Sequence, residues 1–316
     1  MSLEALCFGV GRDGSKRADR GCYSVTLLIL LGVLAMVSSQ SAFAQINPVS
    51  STTGWAPLLY GSGNFPDPSG DQQTGSTEGD IVGDTSHPSL YMRYNDGGFG
   101  SSTDGWIGFR FRVGGDPNPA GFKAVALVGL DADLDGRLDL FMGVNNSGSA
   151  NEIGIWDPGT GLNLSPSTTT VATPAENTYV QTGANYGWTP VSALSDPPAL
   201  SYDLNADGST DRFLTFVIRF SDVTAAMMNR GISFDVNSIM RLVAFTSNQI
   251  NSLNQDLNGV MGGVNSNLTW DQLGGMSQPY TPTSIIPVPE PSTLTIACLA
   301  GGLLLLFPRR QAGRKD

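Results

Sequence analysis

The chain has 316 residues, 40% of them hydrophobic and 14% charged, with 39 Gly and 19 Pro. Charge at about half the usual quarter argues against a helical or coiled-coil protein and for short strands joined by many turns. The net charge of −11 argues against nucleic acid as a partner, because phosphate binding needs a basic surface.

The first element in chain order is a secretory signal. A basic stretch (Arg12, Lys16, Arg17, Arg20) precedes an apolar run from Val25 to Val37, and Ala42-Phe43-Ala44 places small residues before Gln45. Basic flank, short apolar run and A-x-A stand in the order that signal peptidase reads, which a buried core helix does not require. Residues 1–44 are therefore expected to be removed. Of the 28 acidic residues, 23 lie between positions 45 and 289, beside nine of the 17 basic ones. The middle of the chain is an acidic body between two basic-flanked apolar segments.

Residues 45–275 read as one domain. In 106–113, Ile107, Phe109, Phe111 and Val113 alternate with Gly108, Arg110 and Arg112. In 212–220, Leu214, Phe216, Ile218 and Phe220 alternate with Thr215 and Arg219. Period-2 patterns of this kind mark half-buried antiparallel strands. Further apolar runs at 122–130 and 239–245 add strands. Residues 165–178 read as a long loop, and 222–230 as a short helix with Ser221 or Asp222 as N-cap and Gly231 after its end. The five tryptophans, Trp55, Trp106, Trp156, Trp188 and Trp270, are expected to pack in the core or under hairpins. The expected fold is all-β: a single antiparallel β-sandwich of jelly-roll type, flanked by a signal helix and a C-terminal transmembrane helix. The cysteines, Cys7, Cys22 and Cys298, lie outside the body, which therefore has no disulfide, thiolate metal site or cysteine nucleophile.

Two acidic loops carry the chemistry. Residues 131–139 read DADLDGRLD and residues 203–211 read DLNADGSTD, both fitting D-x-[DN]-x-D-G-x-x-D. Oxygens at positions 1, 3 and 5 (Asp131, Asp133, Asp135; Asp203, Asn205, Asp207) converge when such a loop curls. Glycine at position 6 allows the sharp turn, position 7 offers a backbone carbonyl (Arg137, Ser209), and position 9 closes the shell (Asp139, Asp211). That is the oxygen-rich set of a hard cation such as Ca²⁺. Met142 and Leu214 stand where an EF-hand needs its bidentate glutamate, and the flanking runs are strand-like. The loops resemble the calcium-binding hairpin loops of FG-GAP/integrin-type repeats, a likeness confined to these nine-residue stretches. Plain Asx turns are the competing reading. A third stretch, Asn254-x-Asp256-x-Asn258-Gly259, has Gly262 in place of the position-9 acid and reads as a turn.

The chain closes on a Pro-rich linker, 276–287, and a three-part tail. Val288-Pro289-Glu290-Pro291-Ser292 is followed by an apolar run of 14 residues from Leu294 to Phe307, then Arg309 and Arg310. The tail resembles the PEP-CTERM sorting signal of Gram-negative bacteria. The resemblance implies an exosortase, an integral-membrane protease-transpeptidase, as processing partner and delivery to the cell surface or extracellular matrix. As a helix the apolar run spans about 21 Å against a ~30 Å hydrocarbon core, short for a permanent anchor and adequate for a transient one in the inner membrane. The arginines after it place the C-terminus in the cytoplasm and the acidic body outside.

The sequence favours a non-catalytic surface or matrix protein. His87, in TSHPS, is the single histidine, no G-x-S-x-G elbow accompanies it, and no phosphate loop or dinucleotide fingerprint occurs. A second reading is a carbohydrate-binding module for extracellular polysaccharide, with Tyr60, Tyr91, Tyr94, Trp106 or Trp188 as platforms, although packing under loops is the better expectation for these rings. A third is a secreted glycan hydrolase, whose paired carboxylates would not be visible as spacing in the sequence.

Overall fold

Eleven strands form the frame of a computed structural model that describes residues 47–60, 67–74, 77–97, 105–115, 121–194 and 202–285. The signal segment, the apolar run 294–307 and the sorting residues Val288, Pro289, Glu290, Pro291, Ser292, Arg309 and Arg310 lie outside them. The first sheet contains β1 (Ala56–Pro57), β2 (Leu90–Asn95), β3 (Trp106–Val113), β8 (Tyr186–Pro190) and β9 (Arg212–Arg219), in the order β1-β2-β3-β9-β8. The second contains β4 (Val125–Asp131), β5 (Leu140–Asn145), β6 (Glu152–Trp156), β7 (Asn177–Val180), β10 (Arg241–Ser247) and β11 (Asp256–Leu257), in the order β11-β10-β4-β5-β6-β7. Every pairing between them is antiparallel.

The strand order departs from the expected jelly roll, which is built from two Greek keys. Here β1–β2–β3 and β4–β5–β6–β7 are meanders, in which each strand pairs with its neighbour in sequence. Short connections between β4, β5 and β6 hold those strands in one sheet. Crossings between the sheets occur only after β3, β7 and β9.

The two sheets share one core. Ile107, Phe109 and Phe111 of β3 and Leu214, Phe216 and Ile218 of β9 meet Ala126, Val128 and Leu130 of β4 and Met142 and Val144 of β5 in a single buried cluster. The outer face of the second sheet carries another: Val125, Leu127, Phe141, Trp156, Val243 and Phe245 pack under Leu253, Val260, Val264 and Trp270. A strand buried on both faces needs apolar residues at every position, which is why β4 reads VALVGL without alternation.

The expectation of half-buried strands needs correction at β3. Arg110 and Arg112 are only 3% and 2% exposed. Segment 47–55 lies over Arg110, whose guanidinium donates to the Val49 and Ser51 carbonyls and to Thr215 Oγ1 and stacks 4.3 Å from the Trp55 ring centroid. Arg112 is covered by the 203–211 loop. The helix expected at 222–230 is α2 (Phe220–Asn229), following α1 (Val191–Leu194). It starts directly from β9 with Arg219 at the N-cap, while Asp222 accepts a hydrogen bond from the Tyr179 hydroxyl. Of the loop expected at 165–178, Ser165 to Glu176 is largely loop, with one 3₁₀ turn at Pro166–Thr168, while Asn177 and Thr178 open β7. The helix α3 (Trp270–Leu273) carries a reciprocal Thr269/Gln272 cap.

The Pro-rich stretch after residue 275 is part of the folded body as far as it is described. Ser277 N–H donates to Leu242 O and Gln278 N–H to Leu59 O, while Met240 and Tyr280 exchange both backbone hydrogen bonds. Tyr280 Oη also accepts the Leu59 N–H at 2.8 Å. Residues 276–285 of the expected linker therefore lie against the body.

Candidate metal centre

The 131–139 loop is the turn of the β4–β5 hairpin, closed at its base by Asp139 N–H donating to Leu130 O at 2.6 Å. Inside it the side chains fold back on the backbone. Gly136 N–H donates to Asp131 Oδ2 at 3.2 Å, Arg137 N–H to Asp135 Oδ1 at 2.8 Å, and Ala132 N–H to Asp139 Oδ2 at 2.8 Å. Positions 4 and 6 are left-handed, Leu134 at φ 64° and Gly136 at φ 86°, the conformation that glycine adopts without steric cost.

The 203–211 loop repeats this conformation. Asp211 N–H donates to Tyr202 O at 2.6 Å, Gly208 N–H to Asp203 Oδ2 at 2.9 Å, Ser209 N–H to Asp207 Oδ1 at 2.7 Å, and Leu204 N–H to the Asp211 carboxylate. Ala206 (φ 57°) and Gly208 (φ 86°) are left-handed at the same two positions. Its flanks differ from the expectation of strands on both sides. The loop precedes β9, but β8 is followed by α1, so the loop sits in a longer connection between the paired strands β8 and β9.

The carboxylates separate the two loops. One oxygen from each of Asp131, Asp133 and Asp139 lies within 4.8 Å of the others, a spacing that one cation can bridge. Asp131 is fully buried and its Oδ1 has no hydrogen-bond partner. Burial pushes the Asp139 carboxyl up to about 6, and Asp133, Asp131 and Asp135 add to the shift. Burial also raises Asp131, against the opposing pull of Arg241, whose Nη2 lies 2.7 Å from Asp131 Oδ2. Asp135 stands outside the trio, next to Arg137 at the surface. In the second loop, by contrast, Arg112 Nε and Nη2 clamp Asp211 Oδ2 at 2.8 and 2.6 Å, and Asn205 Nδ2 donates to Asp207 Oδ2 at 3.3 Å. Asp203, Asp207 and Asp211 do not form a comparable trio among the described residues. A hard cation fits the first loop, where a buried carboxylate oxygen lacks a partner. The second has the right backbone with fewer oxygens free.

Arg241 and Arg112 come from β10 and β3 and were not anticipated. The local pattern contains no trace of them, and both lie on strand faces turned away from the shared core. A further acidic group, Asp67, Asp71 and Asp256, was also missed, because 254–259 reads as a turn. Pairing of Phe245 and Thr246 with Leu257 and Asp256 makes two residues of that stretch the edge strand β11, and the turn follows at Asn258 and Gly259.

An open cleft of about 820 Å³ runs beside the first loop, lined among others by Asp133, Asp139, Asp157, Glu176, Asn229 and Arg230. Arg230 bridges Asp157 and Glu176, the latter at 3.0 Å. Among the described residues no aromatic ring lines it. Of the aromatic side chains considered as sugar platforms, two are buried and three are half-buried against neighbouring side chains. Tyr60 and Tyr94 are buried, Tyr91 lies edge-on to Phe213, Trp188 lies against Phe122, and Trp106 lies under Arg93. His87 sits in a turn with its Nδ1 2.9 Å from Asp84 Oδ1.

Comparison with protein-family models, with curated proteins and with solved structures finds no match to the chain. Among the described residues no helix is long and apolar enough to cross a membrane.

Proposed function

We propose that this chain is a non-catalytic exported protein of a Gram-negative cell surface or extracellular matrix, sorted by an exosortase, with a β-sandwich body stiffened by calcium. The sorting part rests on the sequence alone: Val288-Pro289-Glu290-Pro291-Ser292 beside a short apolar run and Arg309-Arg310. The calcium part rests on one structural observation, the meeting of Asp131, Asp133 and Asp139 around a buried, unpartnered oxygen. Asp131, Asp133 and Asp139, with Asp135 and the Arg137 carbonyl at the rim, would hold the ion. Bound calcium supplies positive charge that lets these carboxylates stay ionised side by side at the hairpin tip. Arg241 fixes Asp131 from the neighbouring strand, and the two left-handed residues fix the curl.

The polar cleft supports a second reading, binding of an extracellular polysaccharide. Asp133 and Asp139 belong to both the loop and the cleft, so calcium at the loop would face a glycan there, in the absence of an aromatic platform.

The sorting proposal is tested by the intact mass of surface-exposed protein from its native cells and from cells lacking the exosortase. In the first the chain should run from Gln45 to about residue 290, because an extended segment enters a protease readily. In the second it should retain residues 295–316. A surface pool that retains them in normal cells would mean a permanent anchor. Binding of polysaccharides that is equal in calcium and in chelator would sink the second reading.

A further inference from the structure

We infer that the body holds another hard divalent cation, of the calcium class, between Asp67, Asp71 and Asp256, where it clasps segment 67–74 onto the edge strand β11. The site is independent of the two loops and lies at the far edge of the second sheet from β7.

The three acids each place one oxygen within 4.8 Å of the others'. Two ligands on opposite sides of an ion, at about 2.4 Å each, are separated by about that distance. Asp67 is 1% and Asp256 0% exposed. How their oxygens are used is informative. Asp67 accepts the Gly259 N–H on Oδ1, and its Oδ2 is buried without a partner. Asp71 accepts the Gly262 N–H on Oδ2 at 2.6 Å, and its Oδ1 is buried without a partner. Each acid thus uses one oxygen to grip the turn after β11 and leaves the other unpaired in the interior. Asp256 is held by the Ile81 N–H on Oδ2 at 2.6 Å and by its neighbour's Leu257 N–H on Oδ1 at 2.7 Å. Gln72 and Gln255, sequence neighbours of two of the acids, also bury side-chain carbonyl oxygens without partners.

The charge balance points the same way. Asp80, fully buried, grips the Gly70 N–H through both oxygens and lies close enough to raise the other carboxyls. No arginine or lysine forms an ion pair with any of the four among the described residues. Burial first, and then the acidic neighbours, push Asp67 and Asp256 well above the carboxylate range and Asp80 to about 6. Such a group is relieved by taking up protons or by holding a cation. The free oxygens of Asp67 and Asp71, buried without a hydrogen-bond partner, are the atoms an ion would find. The donor set is all oxygen, with no histidine or cysteine, which selects a hard ion.

The test is equilibrium dialysis of the full chain against calcium alone, counting ions per chain, for the parent, for Asp67→Asn/Asp256→Asn and for Asp133→Ala/Asp207→Ala. The first variant should hold one calcium fewer than the parent. The loop variant should keep that ion, even if the loops bind nothing in the parent, so this site and the loop sites fail separately. If the double Asn variant loses its strand-rich circular dichroism, Asp71→Asn, at a half-buried position, should weaken retention of the same ion at least 10-fold. An unchanged count in a folded Asn variant, or a parent that retains no calcium, would overturn the inference.

Discussion

Replacing Asp133 by Ala separates a calcium ligand from a turn residue, because the two roles predict different effects with and without calcium. Asp133 is exposed, and its one hydrogen bond among the described residues is the 3.2 Å contact from Asp135 N–H. In chelator the variant loses that weak contact and also removes a negative charge beside Asp131 and Asp139, so the net change should stay within about 0.5 kcal/mol. In calcium the expectation is different. An ion bound with a dissociation constant of about 10 µM, at about 1 mM free calcium, stabilises the native state by about 2.7 kcal/mol. If the lost carboxylate weakens binding about 100-fold, the remaining stabilisation is about 0.4 kcal/mol. For a body of this size the difference amounts to about 5–9 °C in melting temperature. The assay is thermal unfolding of parent and variant, each in calcium and in chelator. The quantity to read is the parent-minus-variant gap in calcium less the same gap in chelator, which cancels any other calcium site. A value below about 1 °C would refute ligation by Asp133.

Other expectations concern the frame that holds the loops. Arg112→Met strands the fully buried Asp211 with the Leu204 N–H alone among the described residues, and should cost about 3–5 kcal/mol in urea unfolding. Adding Asp211→Leu should recover much of that loss. Gly143→Ala would place a methyl group 2.1 Å from the Ala126 carbonyl oxygen in the middle of the second sheet, and should cost about 3 kcal/mol or abolish soluble expression. Trp270→Ala empties the cover of the outer core and removes the indole N–H, 3.0 Å from the Asn163 carbonyl, which keeps only the Leu138 N–H among the described residues. A loss of about 3–5 kcal/mol is expected in the same assay.

What the sequence makes legible is local. The side-chain hydrogen bonds that shape each acidic loop join residues no more than seven positions apart, so motif and curl can be read together. The core face of β3 is legible for the same reason, since Ile107, Phe109 and Phe111 announce it by alternation. Its other face is not, because Val49, Ser51 and Trp55 reach Arg110 from far upstream. The difference between the two loops was hidden likewise: Arg241 and Arg112 arrive from other strands and leave one carboxylate set converging and the other clamped. Asp256 looked like a turn residue because its pairing with Thr246 and its meeting with Asp67 exist only after folding. The prolines after residue 275 suggested an extended linker; residues 277–280 pair with Leu59, Met240 and Leu242 instead, and Pro282 opens a 3₁₀ turn.

The strand order also dictates when this body can close. In the first sheet Ile107 pairs with Ile218 and in the second Leu130 with Leu242, partners about 110 residues apart, so each sheet is joined only after a long stretch of chain is gathered in. Until residues 212–247 arrive, β3 and β4 are bare edges with apolar faces, and a fragment ending before Arg212 should aggregate instead of folding. On the proposed export route, with the chain delivered through a narrow channel from its N-terminus, the topology would work as a timer. The early hairpins can form, but the body stays open until its last third is through.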